Sequence, residues 1–271
     1  MKKIIVAVNG LPGKMAWAVA EAVVAQEDME LFSLSLTGPE VTAKSIIVGG
    51  VPVKLILPEK REEFLVSHRP DVVVDFTLPD AINDNVAMYT AARLSFVLGT
   101  TGGNLEAIEA RVNRSFSSAV VAPNMAKEIV AFQAMVESMA RKFPGLFKGY
   151  SLKIEESHQP GKKDTSGTAQ AMVKSFNKLG IPFTVEEVKK HRTEKEYIAL
   201  GIPPEYWSGH GWHTYTLERP DGSVFFQFTH NVNGRQAYID GTLAAIRFLH
   251  EKIKHGVVAG KVFSMEDVLR R

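Results

Sequence analysis

The first half of the chain alternates short apolar runs with segments of helical spacing. Residues 4–8 form a continuous apolar run that is typical of a buried strand, and residues 14–25 follow with the spacing of a helix. The same patterns predict one further helix and four further strands, over residues 81–94 and over residues 31–36, 72–76, 96–98 and 119–122. Continuous apolar strands that alternate with helices indicate a parallel sheet covered on both faces.

After Pro144 the hydrophobic pattern changes. Residues 151–154, 212–217 and 224–230 alternate between apolar and polar positions, as the strands of an open, mostly antiparallel sheet do. A helix over residues 166–179 interrupts these strands. The stretch 182–208 is charged and irregular, and the pattern therefore predicts a long excursion or lid there.

Two more helices complete the pattern. Residues 129–142 carry apolar side chains at the spacing of a core-facing helix, and residues 241–253 form a last amphipathic helix that we expect to return to the first domain. The predicted fold is therefore α/β. One domain comprises residues 1–127 and 241–271, and residues 128–240 form an inserted α+β domain with a mixed, mostly antiparallel sheet.

A glycine-rich turn joins the first strand to the first helix. Gly10 and Gly13 leave room for a phosphate at the amides of a helix N-terminus, and the turn opens a βαβ unit. This placement predicts a Rossmann-type dinucleotide-binding domain, and a plain strand-to-helix turn is the alternative. The second strand ends at Thr37 without the acid that binds the ribose of NAD, Glu40 being the nearest. With Lys14 at the helix start, we expect NADPH to be accepted at least as well as NADH.

Three later strands of the first half also end on polar or glycine-containing motifs. They are Asp75-Phe76-Thr77, Gly99-Thr100-Thr101-Gly102 and Ala122-Pro123-Asn124-Met125. Ligands of open α/β sheets bind at the carboxyl ends of the strands, so the three motifs should line one cleft. A strand-end turn explains each motif taken alone equally well.

The segment 155–169 carries the best candidates for proton transfer. Pro160-Gly161 prevents a helix, so His158 and Lys162 are expected on a loop. A histidine can exchange a proton near neutral pH, and a lysine offers a positive charge and a donor. A surface loop that leads to a capped helix is the alternative interpretation.

The helix that follows this loop, together with an arginine further along, could hold a ligand with two carboxylates. Asp164 or Ser166 caps the helix, and the free amides of Gly167 and Thr168 can bind a carboxylate. Arg235 follows a glycine at a strand end, from which its guanidinium can clamp a second carboxylate.

His210 and His213 raise the question of a metal site. The sequence offers no cysteine or nearby acid to complete a ligand shell, so we interpret both as ordinary strand residues and expect no metal.

Composition narrows the class of protein further. The chain has 271 residues, 45% of them hydrophobic and 23% charged, with no cysteine and a net charge of +2. The absence of cysteine excludes a disulfide framework and a thiol nucleophile. A nearly neutral chain gives no reason to expect a nucleic-acid partner. The longest apolar runs are too short for a secretory leader or a membrane span, so we expect a cytoplasmic protein.

Taken together, these motifs resemble the dihydrodipicolinate reductase family over nearly the whole chain and in the same order. The resemblance is carried by residues 10–15, Asp75-Phe76-Thr77, Gly99-Thr100-Thr101-Gly102, Ala122-Pro123-Asn124, Glu156-Ser157-His158, Lys162, Ser166-Gly167-Thr168-Ala169 and residues 264–269. Gln159 stands where many bacterial members have a second histidine, which resembles the plant-type branch. The resemblance implies NAD(P)H-dependent reduction of 4-hydroxy-tetrahydrodipicolinate, a small dicarboxylate, in diaminopimelate and lysine biosynthesis.

The resemblance also implies a role for individual residues. His158 and Lys162 would form the catalytic pair. The implied cofactor contacts are Gly10, Leu11, Pro12, Gly13, Lys14, Met15, Thr37, Thr77, Gly99, Thr100, Thr101, Ala122, Pro123, Asn124 and Met125. The implied substrate contacts are Gln159, Ser166, Gly167, Thr168 and Arg235. The inserted domain would bind substrate and join subunits into a homotetramer or homodimer.

Two other functions fit part of the sequence. Another Rossmann dehydrogenase of amino-acid metabolism, similar to aspartate dehydrogenase, would share the glycine-rich turn. A non-catalytic NAD(P)H-binding protein would bind cofactor without turnover, although the presence of His158, Lys162 and Thr168 argues against it.

Overall fold

The structure is a computed structural model that describes residues 2–64, 69–100, 102–256 and 259–270. Its strands are β1 (Ile4–Asn9), β2 (Met29–Leu31), β3 (Leu34–Leu36), β4 (Ser45–Val48), β5 (Val51–Ile56), β6 (Val72–Asp75), β7 (Phe96–Leu98), β8 (Ala119–Val121), β9 (Ser151–His158), β10 (Lys189–His191), β11 (His210–Glu218), β12 (Phe225–Asn233) and β13 (Val262–Phe263). Its α-helices are α1 (Lys14–Val24), α2 (Ile82–Ala91), α3 (Leu105–Asn113), α4 (Lys127–Lys142), α5 (Gly167–Lys178), α6 (Glu194–Leu200), α7 (Gln236–Lys254) and α8 (Met265–Leu269). Short 3₁₀ turns occur at Pro58–Phe64, Pro79–Ala81, Val185–Glu187 and Pro204–Tyr206.

The chain divides into two compact units. Unit 1 comprises Met1–Lys127 and Tyr238–Arg271, and unit 2 comprises Glu128–Ala237.

A six-stranded parallel sheet forms the centre of unit 1, in the order β13-β8-β7-β6-β1-β2. β1 is buried along nearly its whole length because strands pair with it on both sides and helices cover the sheet. In α1, Ala16, Val19, Ala20 and Val23 are buried at the spacing of one helical face. The predicted parallel, Rossmann-type sheet is confirmed.

The second predicted strand, residues 31–36, is broken in two. β2 continues the parallel sheet, whereas β3 turns away to pair with β5 in a separate three-stranded sheet. The Asn9 side chain accepts a hydrogen bond from the Leu36 amide at 2.8 Å, and the Gly10 amide donates to the Leu36 carbonyl at 2.8 Å. These bonds keep the end of β3 beside the end of β1 after the ladder with β2 has ended. The strands β4 and β5 were not predicted.

Helix α7 enters unit 1 at Tyr238, and its last four turns pack there. Gly241 lies so close to the Met125 carbonyl that a Cβ on it would come within 1.7 Å of that oxygen. Arg247 pairs with Asp28 at 2.8 Å through two nitrogens. Only glycine therefore fits the approach of the helix to residue 125.

Unit 2 contains a four-stranded sheet in the order β10-β9-β11-β12. β9, β11 and β12 pair antiparallel, and β10 joins the edge of β9 in parallel. The predicted mixed, mostly antiparallel sheet is therefore confirmed. Side chains of α4 and α5 pack on one face of this sheet in a core that includes Val136, Met172, Val173, Phe176, Ile154, Tyr215 and Leu217.

The strands of unit 2 are longer than predicted, and this moves one candidate residue. His158 is the last residue of β9 and pairs with Gly211, so it lies on a strand rather than on a loop. The stretch 182–208 is also more regular than predicted, because it contains β10 and α6 and buries Tyr197 completely. Within the described part of the chain, no helix has both the length and the apolar character to cross a membrane.

Candidate functional site

The glycine-rich turn of unit 1 has the shape of a phosphate cradle. Gly10 has φ +102°, and a Cβ on it would lie 2.4 Å from the Phe76 carbonyl oxygen. A Cβ on Gly13 would lie 2.7 Å from the Gly10 oxygen, and Gly13 caps α1 without a side chain. The first turn of α1 carries no acidic residue, so its amides present positive potential to a ligand. The turn therefore fits the pyrophosphate of a dinucleotide.

A cleft of about 290 Å³ opens beside this turn. It is lined by Gly10, Leu11, Pro12, Gly13, Thr37, Gly38, Pro39, Glu40, Val41, Pro58, Phe76, Thr77, Leu78 and Ala81. Six predicted cofactor contacts therefore line the cleft, namely Gly10, Leu11, Pro12, Gly13, Thr37 and Thr77. Lys14 is exposed at the start of α1, and Met15 is half-buried beside it.

The hydroxyl groups beside the cleft are already engaged. Thr37 donates to the Leu11 carbonyl at 2.6 Å, and the fully buried Ser35 donates to the Leu36 carbonyl at 3.0 Å. These hydroxyls therefore order the glycine-rich turn and do not offer their protons to a cofactor phosphate. Glu40, in contrast, lies in the wall of the cleft, with both carboxylate oxygens folded over Gly38.

A buried polar network joins the carboxyl ends of β1 and β6. Tyr89 donates to Asp75 at 2.6 Å, and Asn9 donates to the Tyr89 hydroxyl at 2.7 Å. Burial, and then the neighbouring Asp75 carboxylate, raise the pKa of Tyr89 well above its usual value, so Tyr89 stays a donor. The other oxygen of Asp75 accepts from the amide and hydroxyl of Thr77. Asp75 therefore shapes the cleft through its neighbours, and this network was not predicted.

The remaining predicted cofactor contacts lie at the carboxyl ends of β7 and β8. Gly99 packs against the Phe76 ring, where a Cβ would come within 2.3 Å of a ring carbon, and Thr100 donates to the Thr77 carbonyl at 2.9 Å. Asn124 accepts from the Ala126 amide at 2.9 Å. Ala122 and Met125 are buried and Pro123 is exposed. Thr101 lies outside the described residues.

The second candidate site lies at one edge of the unit 2 sheet. The inward face of this sheet changes from apolar to titratable along its strands, because the apolar row of Ile154 and Tyr215 is followed by polar side chains. Glu156, His213 and His230 stand opposite one another on β9, β11 and β12. The rings of His213 and His230 stack with centroids 4.8 Å apart, and His158 meets His213 edge-on at 5.1 Å.

Glu156 is the buried anion of this site. It forms an ion pair with Arg192, accepts from the Ser166 amide at 3.1 Å, and lies 3.6 Å from Nε2 of His213. Burial raises the pKa of Glu156, but the hydrogen bonds from His213 and Ser166, the charge of His158 and the bond from Arg192 together hold it well below the usual value. Glu156 is therefore ionised at neutral pH.

His158 is neutral at neutral pH. Burial and the charge of His213 lower its pKa to about 3, against the opposing effect of Glu156, whose oxygen lies 3.8 Å from Nδ1. Arg192 and Lys162 add to the lowering. Among the described residues, the buried side-chain nitrogens without a hydrogen-bond partner are Nδ1 of His158, His213 and His230.

Lys162 and the start of α5 lie just beyond His158. The Lys162 ammonium pairs with Asp164 at 2.7 Å. Ser166, not Asp164, caps α5 and accepts from the Ala169 amide at 3.1 Å. Gly167 is exposed, and a Cβ on it would have no atom within 4 Å, so there is open space beside this end of the helix. Backbone amides at a helix N-terminus can donate hydrogen bonds to a carboxylate.

The other predicted substrate contacts lie along the same edge of the sheet. His210, the first residue of β11, pairs with Asn233, the last residue of β12. Arg235 follows two residues later, and its guanidinium lies near Gly209. Gln159 directly follows β9, and its carbonyl accepts from the Lys162 amide at 3.3 Å. The sheet register therefore brings the predicted catalytic and substrate-binding residues to one edge of unit 2.

The expectation that no acid stands near the histidines of β11 is wrong. One ligand atom each from Glu156, His158 and His213 lies within 4.8 Å of the other two, which is a spacing that a metal ion could use. The same atoms have protein partners, however, since Arg192 neutralises Glu156 and the Ser166 hydroxyl lies 2.9 Å from Nε2 of His213.

Arg192 was not predicted as part of any site. It follows the edge strand β10, in the stretch interpreted as an excursion or lid, and only the parallel pairing of β10 with β9 brings it to Glu156. The local sequence pattern does not reveal the strand pairing that places Arg192 beside Glu156.

Known proteins resemble the chain over nearly its whole length. Two family models, described as "Dihydrodipicolinate reductase, N-terminus" and "Dihydrodipicolinate reductase, C-terminus", match residues 4–125 and 128–269. A rice relative (Oryza sativa subsp. japonica), "Probable 4-hydroxy-tetrahydrodipicolinate reductase 1, chloroplastic", is 43% identical over 97% of this chain and 78% of its own. In Arabidopsis thaliana, "4-hydroxy-tetrahydrodipicolinate reductase 2, chloroplastic" is 40% identical over 97% of this chain and 76% of its own. The predicted resemblance to the plant-type branch is confirmed.

Solved structures share the fold. A dipicolinate-bound dihydrodipicolinate reductase from Paenisporosarcina sp. TG-14 aligns with a TM-score of 0.66 at 19% identity, over 97% of each chain.

The comparisons correct one expectation. We expected a cytoplasmic protein, but four plant relatives at 39–43% identity are all named chloroplastic, so this prediction is wrong. Neither the absence of cysteine nor the short apolar runs distinguishes a plastid protein from a cytoplasmic one, so the composition did not carry this information.

Proposed function

Because this chain belongs to the dihydrodipicolinate reductase family, we propose that it reduces 4-hydroxy-tetrahydrodipicolinate to tetrahydrodipicolinate and that His158 and Lys162 carry the proton chemistry. The chain is a pyridine-nucleotide-dependent oxidoreductase of diaminopimelate and lysine biosynthesis. One observation supports the assignment of roles above the others. β9 ends at His158, and within ten residues the chain supplies an ammonium group at Lys162 and the N-terminus of helix α5.

The cofactor belongs to unit 1 in this proposal. The close approaches at Gly10 and Gly13 leave space that any Cβ would fill, which fits a pyrophosphate held by backbone amides. The nicotinamide end of the cofactor would lie near Gly99, Thr100 and residues 122–125, which follow β8. When it is bound there, a reduced nicotinamide supplies the hydride.

The substrate belongs to unit 2 in this proposal. The amides of Gly167 and Thr168 bind one carboxylate, and the guanidinium of Arg235 binds the other. Gln159 and Ser166 border the same edge of the sheet. Two clamps at fixed positions orient the ring, and orientation contributes much of the rate in reactions of this kind.

The proton comes from Lys162. The ring loses its 4-hydroxyl group and one ring proton as water, and then gains one hydride and one proton. His158 is neutral at neutral pH because its pKa lies near 3, so it has no imidazolium proton to give. Lys162 carries an ammonium proton, and its partner Asp164 is largely exposed and can release it to a bound anion. His158, as a neutral imidazole, then orients the ring.

The test is NAD(P)H oxidation followed at its absorbance, with a dihydrodipicolinate synthase supplying fresh substrate. We expect oxidation of both nucleotides that depends on the synthase. If neither nucleotide is oxidised while both bind, the chain is not a reductase of this substrate.

We also propose that unit 2 joins subunits into a homodimer or homotetramer. The edge strand β12 exposes Phe225 and Phe226, by 57% and 39%, and exposed aromatic side chains on an edge strand are typical of a contact surface. Light scattering of the wild type and of Phe225→Ser tests this, since a monomeric wild type would exclude it.

A further inference from the structure

The stretch that the sequence predicts as a lid sends one side chain into the substrate site of unit 2. Arg192 lies directly after β10, and its side chain is only 16% exposed. Arginine is rarely buried without partners, because its charge must be neutralised and its donors satisfied. The partners of this guanidinium therefore indicate what it does.

All three nitrogens of the guanidinium have partners in the proposed site. Nε donates to the Lys162 carbonyl at 2.8 Å, and one terminal nitrogen donates to the Glu156 carbonyl at 3.2 Å and to the His191 carbonyl at 3.0 Å. The other terminal nitrogen pairs with the Glu156 carboxylate. A single planar group thus joins the buried anion of β9 to the main chain of the loop that carries Lys162.

The backbone on either side of Arg192 is also held. Its amide donates to Glu196 at 2.9 Å, and Glu196 caps α6 together with Thr193. The bonds from Thr193 and from the Arg192 amide outweigh burial and lower the pKa of Glu196 to about 2, so the cap is ionised at neutral pH. Arg192 therefore starts from a fixed backbone position.

We propose that Arg192 is a positioning residue for the reduction, which holds the Lys162 loop and the α5 amides in register through Glu156. The inference rests on the proposed function. Glu156 accepts from the Ser166 amide at the start of α5, so the guanidinium reaches the carboxylate-binding amides through one carboxylate and the proton donor through one carbonyl. Arg192 itself needs no contact with substrate. Displacements of about 1 Å in a positioned group can cost roughly 100-fold in rate.

Arginine is suited to this role and lysine is not. The rigid fork of a guanidinium satisfies a carboxylate and two carbonyls at once, whereas one ammonium group on a flexible stem cannot span them. The positive charge also matters, because it lowers the pKa of both Glu156 and His158. Among the described residues, the charged or titratable groups that interact with Glu156 include His158 on its own strand, His213 and Tyr215 on β11, Asp164 before α5 and Arg192 after β10.

Steady-state kinetics on Arg192→Gln and Arg192→Lys over a range of pH test the proposal. We expect Arg192→Gln to lower kcat/KM for the dicarboxylate about 10- to 100-fold. The acidic limb of the pH profile of kcat/KM should move to higher pH in this variant, because the pKa of Glu156 and the pKa of His158 rise when the guanidinium is removed. Arg192→Lys should keep the limb in place and lose part of kcat/KM. The dissociation constant of NADPH should stay within twofold in both variants.

Arg219→Gln is the matched control. Arg219 lies in the β11–β12 turn of the same sheet, half-exposed and paired with Asp221 at 3.5 Å, and this variant should behave as the wild type. Arg192→Gln with kcat/KM within twofold of the wild type would overturn the proposal. So would a loss of kcat/KM with an unchanged acidic limb, after the rate at each pH has been divided by the folded fraction measured at that pH by circular dichroism.

Two further results separate the possible failures. If Arg192→Gln does not fold, Arg192→Lys decides, and wild-type kcat/KM in that variant overturns the proposal. If the wild type itself does not oxidise NADPH or NADH with this substrate, the proposed function fails whatever the variants do.

Discussion

The two candidate binding regions differ in the material from which they are built. The glycine-rich turn of unit 1 is backbone, and its chemistry follows from missing side chains at Gly10 and Gly13. The titratable edge of unit 2 consists of Glu156 and His158 on β9, His213 on β11, His230 on β12, Lys162 and Arg192, so it depends on side chains. The turn has no room for a Cβ at its two glycines, whereas a site made of paired buried charges does not tolerate the removal of one partner. Mutations in the two regions should therefore differ in their effects on cofactor affinity, on turnover and on the dependence of stability on pH.

The largest effect is expected for Lys162→Ala. Removing the proton donor should lower kcat by about 10²- to 10⁴-fold, the usual contribution of a general acid. The dissociation constant of NADPH should hardly change, because the cofactor belongs to the other region. Stopped-flow turnover and fluorescence titration measure the two quantities. Lys163→Ala, at the exposed neighbouring lysine, is the control, and equal losses in both variants would refute the assignment.

Gly13→Ala should have the opposite effect, because it should weaken cofactor binding more than it lowers kcat. The new Cβ would lie 2.7 Å from the Gly10 oxygen, so the turn must shift. We expect the dissociation constant of NADPH to rise about tenfold, equivalent to about 1.4 kcal/mol, with kcat at saturating cofactor much less affected. Gly209→Ala adds a methyl group in ordinary contact and serves as the control. Unchanged cofactor affinity in Gly13→Ala would mean that the turn does not hold the pyrophosphate.

The titratable edge should also make stability depend on pH, which the glycine-rich turn should not. Burial, followed by the charge of His213, lowers the pKa of His230 to about 4, and burial lowers that of His158 to about 3, from 6.5. Between the folded and unfolded pKa values the unfolded chain binds more protons, so stability is full above pH 6.5 and falls as the pH drops toward 4. The lowered pKa of Glu156 acts below its unfolded value of 4.5, so the histidines dominate between pH 4.5 and 6.5.

His230→Leu isolates this dependence. The variant should lose less Tm between pH 6.5 and pH 4.5 than the wild type, as measured by calorimetry. His255→Leu, at an exposed histidine of unit 1, should keep the wild-type slope. Parallel curves for the wild type and His230→Leu would contradict the prediction.

The smallest effect concerns the choice of cofactor in unit 1. Glu40 lies in the wall of the cleft, where its charge would repel a 2′-phosphate. Glu40→Gln should raise the kcat/KM ratio of NADPH to NADH by up to about fivefold, since exposed charge interactions contribute at most about 1 kcal/mol. Lys14→Ala should lower the same ratio if the exposed ammonium pairs with that phosphate. An unchanged ratio in both variants would remove both residues from the explanation.

Local patterns predicted what depends on local geometry. The turn at residues 10–15 was predicted because a strand, two glycines and a helix follow one another directly. The break within residues 31–36 was missed, because the apolar run continues across it and the bonds that redirect β3 come from Asn9 and Gly10. Propensity carries no information on such bonds between distant segments.

The same limitation of local sequence patterns is clearer at the titratable edge of unit 2. His158, Lys162 and the start of α5 stand together in the sequence and were predicted together. The assignment of these residues to a catalytic pair and substrate contacts stays a prediction. His213 was interpreted as an ordinary strand residue, since its neighbour Glu156 lies 57 positions earlier and meets it only through the antiparallel register of β9 and β11. Strand length was also underestimated, because the polar ends of these strands do not alternate.

Gly241 has a consequence for the genetics of the protein. Every single-base change that alters a glycine codon introduces either a side chain with a Cβ or a stop. At this position the Met125 carbonyl would meet that Cβ at 1.7 Å. In a library of all point mutants selected for lysine prototrophy, codon 241 should therefore retain only synonymous changes, although residue 241 belongs to neither binding region.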